Sequence, residues 1–155
     1  MMYTVKDINE VFQGIATNHL QLKSFYTNTE KELDINKITV NLFPLLYAQV
    51  TGAEVNDGFT TYTYEVNVAD LLIEEQTDTI IDVYQNTFLI MQDIIALFRL
   101  DQSNAFPNVV NQSWGIDVPI RCTPFTSQYD NLLTGWSCEF SIRVPNPLNL
   151  CVALF

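Results

Sequence analysis

The chain has 155 residues, 48% of them apolar and 16% charged, against about 25% charged in an average globular domain. Its 18 acids and 7 bases give a formal net charge of −11. That balance excludes a surface built to grip nucleic acid, which needs clustered Lys and Arg, but not one past which DNA slides. The length predicts one domain with a real core, and the sparse charge predicts a surface that is neutral-polar or covered by partners.

Residues 4–20 read as an amphipathic helix. Thr4 caps it, Asp7 stands in the first turn, and Val5, Ile8, Phe12, Ile15 and His19 or Leu20 recur at helical spacing. Residues 22–29 read as a short strand, followed by the charged turn Glu30-Lys31-Glu32-Leu33-Asp34. A second strand is predicted over 37–50, with Pro44 marking an edge, a bulge or a strand end. Residues 51–58 read as a connecting loop in which Asp57-Gly58 supplies hairpin-turn chemistry. The partner strand is 59–70, with Tyr62, Tyr64, Val66 and Val68 inward and Thr61, Thr63, Glu65 and Asn67 outward.

A long helix is predicted over about 77–99, capped by Thr77. Ile81, Tyr84, Phe88, Met91, Ile95 and Phe98 form its apolar stripe, which Ile80, Val83, Ile90, Ile94 and Leu97 widen. So wide a face needs cover from the sheet and from a second element, and helix 4–20 is the available one. Residues 105–117 read as loop, 118–125 as a strand and 127–134 as a turn. The strand 136–144 then alternates Trp136, Cys138, Phe140, Ile142 and Val144 on one face with Ser137, Glu139, Ser141 and Arg143 on the other. Phe88, Met91, Ile95, Trp136, Phe140 and Ile142 are expected to meet where the long helix crosses the sheet.

The predicted class is therefore α+β: an antiparallel sheet of about four to five strands packed against one long and one shorter helix. Residues 1–147 read as a single domain. Residues 148–155 read as an apolar tail in which Leu148, Leu150, Val152 and Leu154 alternate; it is expected to dock on its own sheet or on a neighbouring subunit. No secretory leader is read at the start, and no run approaches 18 apolar residues, so no membrane span or membrane partner is expected.

Chemistry-bearing patterns are few. Between Ile38 and Phe98 stand nine acids (Glu54, Asp57, Glu65, Asp70, Glu74, Glu75, Asp78, Asp82 and Asp93) and no Lys or Arg. This stretch reads either as a solvated face that aids solubility or as a surface aimed at a channel or a basic neighbour. Glu54, Asp57, Glu65, Asp70, Glu74 and Glu75 are the candidates for such a face. Glu74, Glu75, Asp78 and Asp82 could also gather at a helix start, but acids are stabilising there without any metal, and the spacing is not that of an EF-hand. Cys122, Cys138 and Cys151 lack metal-ligand spacing and read as small buried hydrophobes of a reducing compartment. The single histidine, His19, has no nucleophile motif to serve, and neither a phosphate-binding glycine loop nor a G-x-S-x-G elbow occurs. No catalytic, cofactor or metal residue is assigned, and no enzyme activity is expected.

Four local signatures stand in this element order: Phe43-Pro44-Leu45-Leu46-Tyr47, the strand Tyr62 to Asp70, the helix segment Thr87 to Ala96, and Leu133-Thr134-Gly135-Trp136 turning into the last strand. With them the chain, from Leu22 to Asn146, resembles the tail terminator and tail completion proteins of tailed bacteriophages, which form a head–tail connector ring. The resemblance implies a non-enzymatic virion protein assembled in the host cytoplasm into a homo-oligomeric ring, commonly a hexamer, at the tail–neck junction. Tail-tube and neck or connector proteins would be its partners, and DNA would pass through without specific binding. Two other classes stay open on the residues alone: a small ligand- or partner-binding α+β module, and a carboxylate-dependent hydrolase using the acids from Glu74 to Asp82.

Overall fold

The first helix, α1 (Val5–Asn18), starts where Thr4 and Asp7 cap each other. The Asp7 amide donates to Thr4 Oγ1, and the Thr4 amide donates to Asp7 Oδ2 at 2.7 Å, so two otherwise orphaned N–H groups are satisfied. The structure, a computed structural model, describes residues 3–27, 43–71, 80–99, 114–126 and 133–146. Within them α1 is followed by β1 (Ser24–Tyr26), β2 (Leu45–Asn56), β3 (Phe59–Leu71), α2 (Ile80–Arg99), β4 (Gly115–Ile116), β5 (Cys122–Thr126) and β6 (Leu133–Pro145).

The strands form one six-stranded sheet in the order β1-β2-β3-β6-β4, with β5 also on β6. Both helices lie on one face of it, an α+β arrangement of two layers. The central β2–β3 and β3–β6 pairings are antiparallel, while β1 runs parallel to β2, which makes the sheet mixed. Beside β6 the outer strand is broken in two: β4 pairs with Ile142 and Arg143, and β5 pairs with Thr134–Cys138. Of the strand predicted over 118–125 only the part from Cys122 onward is strand, as β5, while Gly115 and Ile116 leave the predicted loop over 105–117 to join the sheet.

The expected loop over 51–58 is corrected. β2 continues to Asn56, and the connection to β3 is the two-residue turn Asp57-Gly58, closed by the Asn56–Phe59 pair. Gly58 has φ +92°, a conformation that glycine adopts without a Cβ penalty. Thr51 is absorbed as a bulge between Val50 and Gly52, which lets a polar, glycine-bearing run stay in the ladder. Pro44 stands just before β2, its carbonyl accepting from the Lys23 amide at 2.9 Å, so of the three readings it is a strand end. The last strand begins earlier than expected: Leu133 and Thr134, predicted as turn, pair with Leu71 and Asp70. The residues of the predicted turns 30–34 and 127–132, the strand residues 37–42 and the cap Thr77 lie outside the described residues.

The core forms between the helices and the sheet face that carries Tyr64, Val66, Val68, Cys138, Phe140, Ile142 and Val144. Phe12 of α1 sits at its centre, fully buried, with ring centroids 5.2 Å from Tyr64, 5.3 Å from Phe98 and 6.4 Å from Phe25. The two helices thus cover one another through Phe12 and Phe98, as the wide apolar face of the long helix requires. The stripe that faces the core is rotated from the expected one. Val83, Thr87, Ile90, Met91, Ile94, Leu97 and Phe98 are buried, whereas Ile81 is 68% exposed. Thr87 tolerates burial because its hydroxyl donates to the Val83 carbonyl at 2.7 Å, a bond that a reading of apolar identity alone cannot anticipate. Met91, Phe140 and Ile142 meet in the core as expected, and Ile95 and Trp136 pack at its margin. Phe88 meets Trp136 edge-on at 4.8 Å, and the Trp136 indole donates to the Tyr84 carbonyl at 2.9 Å.

Candidate functional site

Alternation along β2, β3 and β6 places a second set of side chains on the sheet face away from the helices. One end of that face is apolar: Phe43, Leu45, Ala69 and Leu133 form a small buried cluster with Tyr26, Tyr47, Leu71 and Phe125 around it. The middle is polar, carrying Gln49 on β2, Thr63, Glu65 and Asn67 on β3, and Ser137, Glu139 and Ser141 on β6. Glu65 and Glu139 are direct cross-strand partners, so two carboxylates face one another at the centre of the sheet. Gln49 Nε2 donates to Glu65 Oε2 at 2.9 Å, drawing that carboxylate toward β2, and the Thr63 and Ser141 hydroxyls are bonded at 2.9 Å. Arg143 lies four residues along β6 from Glu139, about 13 Å at strand rise, with its guanidinium 6.0 Å from the Phe59 ring. Like charges directly opposite one another weaken a sheet by about 0.2–1 kcal/mol. Glu139→Lys is therefore expected to raise the chain's denaturation midpoint modestly, and an unchanged or lower midpoint would show the pair to be relaxed.

The six acids singled out from the sequence do not form one cluster. Glu54 and Asp57 are exposed at the hairpin end, with Glu54 on the face away from α1 and α2 like Glu65, about 13 Å from it along the sheet. Asp70 is half-buried on the opposite face, beside Thr134. Glu74 and Glu75 lie outside the described residues, as do Asp78 and the tail positions Leu148, Leu150, Val152 and Leu154. Glu139 was legible as an outward residue of its strand, but its meeting with Glu65 depends on which strands pair, and one strand's alternation does not carry that.

Burial pushes the Asp70 carboxyl above the usual carboxylate range, and the Leu71 amide, donating to Oδ1 at 2.8 Å, offsets only part of this. Folded protein then binds the Asp70 proton more readily than unfolded chain. This contribution to stability is present below the ordinary carboxyl pKa and is lost as pH rises through the raised one. Asp70→Asn is expected to flatten the loss of stability on going from about pH 4 to pH 7. Urea denaturation at the two pH values checks it; an unaltered difference between them would remove Asp70 from that role.

His19, Cys122, Cys138 and Tyr64 are engaged in structure. His19, the C-cap residue of α1, accepts from the Gln21 amide at Nδ1 (3.1 Å) and meets Asp93 Oδ2 through Nε2 at 2.9 Å. The amide at Nδ1 makes Nε2–H the donor to Asp93, so Nε2 ties the end of α1 to α2, Nδ1 holds the Gln21 amide, and neither is left to activate a nucleophile. Cys122 and Cys138 are cross-strand partners with free thiols, and Cys138 Sγ lies 3.4 Å from Met91 Sδ. Burial pushes both thiols up, which keeps them protonated and makes Cys138 the small core hydrophobe that its strand position predicts. The Tyr64 hydroxyl, also raised by burial, donates to Asn9 Oδ1 at 2.8 Å. Among the described residues no three His, Cys, Asp or Glu side chains gather as metal ligands, and no helix is long and apolar enough to cross a membrane. No protein-family model matches the chain, and no curated protein matches its sequence.

Proposed function

We propose that the chain is a structural subunit of a bacteriophage head–tail connector ring, a tail terminator or completion protein acting at the tail–neck junction of the virion. The observation that carries this reading is the sheet face turned away from α1 and α2. It is a broad polar surface of Ser, Thr, Asn and Gln with Glu65 opposed to Glu139 and no Lys or Arg between them. The middle of that face offers a phosphate backbone no counter-charge, its nearest base on β6 being Arg143 about 13 Å along the strand from Glu139, so duplex DNA passes it without being held. The resemblance in element order and local signatures supplies the assembly: copies in a ring, a hexamer favoured, with tail-tube and neck proteins above and below and this face turned to the lumen. No reaction is assigned to it.

Reversing the charge tests the lumen assignment. The double variant Glu65→Lys, Glu139→Lys is expected to retain duplex DNA at low salt and release it as salt rises, whereas the parent chain retains none. Phosphate contacts made by lysine produce that salt dependence. Tight DNA binding by the parent chain would overturn the reading. The same acidic face also suits a basic protein partner, the second reading, which predicts capture of a polycationic peptide by a monomeric chain and loss of that capture in the double variant.

A further inference from the structure

Cys122 and Cys138 stand directly opposite one another on β5 and β6, so their side chains leave the sheet on the same face. That face is the one the helices cover. Cys138 is buried in the main core, and Cys122 is half-buried at its margin, both with free thiols. Directly opposed residues of antiparallel strands have Cα atoms about 4.5 or about 5.5 Å apart, and a disulfide spans about 4.4–6.8 Å. Either spacing accepts a bridge with the strands left where they are. The two thiols differ in reach. Cys138 is 3% exposed, with Val66 opposite it on β3 and Met91 Sδ 3.4 Å from its Sγ, whereas Cys122 stands on the outer strand. Burial pushes the Cys122 thiol up, and hydrogen bonding from Cys138 offsets part of this. Cys122 is thus the thiol that an outside reagent meets, with Cys138 held beside it.

We propose that Cys122 and Cys138 form a redox site, a dithiol that a small-molecule disulfide such as oxidised glutathione converts into a cross-strand staple. Cys122, as thiolate, attacks one sulfur of the glutathione disulfide. The glutathione S–S bond breaks, one glutathione leaves and takes up the proton that Cys122 gave, and a mixed disulfide remains on Cys122. Cys138, as thiolate, then attacks Cys122 Sγ; the mixed bond breaks, and the second glutathione leaves with the Cys138 proton. Two electrons pass from the protein dithiol to glutathione, and the protons balance. The second step joins groups already held opposite one another, which is what lets a buried thiol react. Among the described residues β5 pairs with no strand but β6, and its ladder includes Pro124, which has no N–H to give. A bridge at Cys122, the first residue of β5, fixes that outer strand to the sheet. This chemistry belongs to the single chain and needs no neighbouring copy, so it stands apart from the ring reading.

The full folded chain, with all of its cysteines in place, is incubated with oxidised glutathione, alkylated and mapped by peptide mass. The expected product is a Cys122–Cys138 bridge, reversed by dithiothreitol, in a chain that melts about 6–12 °C above its reduced form, the shift for closing a loop of this length in a domain of this size. Cys138→Ala should stop at the mixed disulfide on Cys122, and Cys122→Ser should leave Cys138 unmodified while the chain is folded. Thiols that both stay free in folded chain overturn the proposal, as does a glutathione adduct that persists on Cys122 with Cys138 beside it. A bridge made to Cys151 instead, or one that forms only in urea, overturns it too. A bridged chain that melts no higher than the reduced one overturns the staple.

Discussion

Replacing Phe12 with alanine is expected to remove about 3–5 kcal/mol of stability, a large part of the roughly 5–15 kcal/mol of an ordinary domain. Phe12 is fully buried and touches three rings on three different elements: Phe25 on β1, Tyr64 on β3 and Phe98 on α2. Its loss opens a cavity at the one place where both helices and the sheet converge, and rigid strands on one side limit how far the site can collapse. The variant should unfold at much lower urea concentration, or be recovered with native-like far-ultraviolet dichroism and no cooperative transition. Phe12→Leu, which refills most of the volume, should recover over half of the loss. A Phe12→Ala chain that melts like the parent would place the core elsewhere.

Gly135→Ala is the second large effect, and it acts through the backbone. A Cβ at Gly135 would fall on the Val68 carbonyl oxygen and within 2.9 Å of Ala69 Cα and Val68 C, all main-chain atoms of the central strand β3. A flexible side chain could swing aside, but a strand paired on both edges cannot, so β3 and β6 must separate where Gly135 opposes Ala69. Overpacking in a core costs about 1–3 kcal/mol, and a clash with backbone belongs at the upper end. Gly52→Ala is the control, since nothing lies within 4 Å of a Cβ there. Equal denaturation midpoints for the two variants would contradict the close approach.

What the sequence discloses about the fold follows from which interactions are local. The α1 cap, the strand β3 and the inward faces of β3 and β6 are set by neighbours two to four residues away, and all are legible. Alternation also identifies Glu139 as outward. The β2 loop is misread because Thr51-Gly52-Ala53-Glu54 has poor strand composition, and it is held in the ladder by pairing with Thr60–Thr63, a partner chosen by the turn. The rotation of α2 is misread because Thr87 carries its own hydrogen bond into the core. The candidate site is less legible still. Of the acids that look like one group in the sequence, Glu54 and Glu65 fall on one face of the sheet and Asp70 on the other, while the carboxylate that meets Glu65 comes from a strand more than seventy residues later. Contacts of that range are properties of the topology, which no window of the sequence contains.

The proposed role is that of a ring subunit around a DNA passage, with no reaction of its own. Negative-stain imaging of the purified full chain, with its mass measured by light scattering in the same buffer, tests it most directly. A ring subunit gives closed particles of uniform diameter with a stain-filled lumen and a mass that is an integral multiple of the 17.7 kDa chain, six being favoured. A single 17.7 kDa species at every concentration tried, with no annular particles in the images, would contradict it.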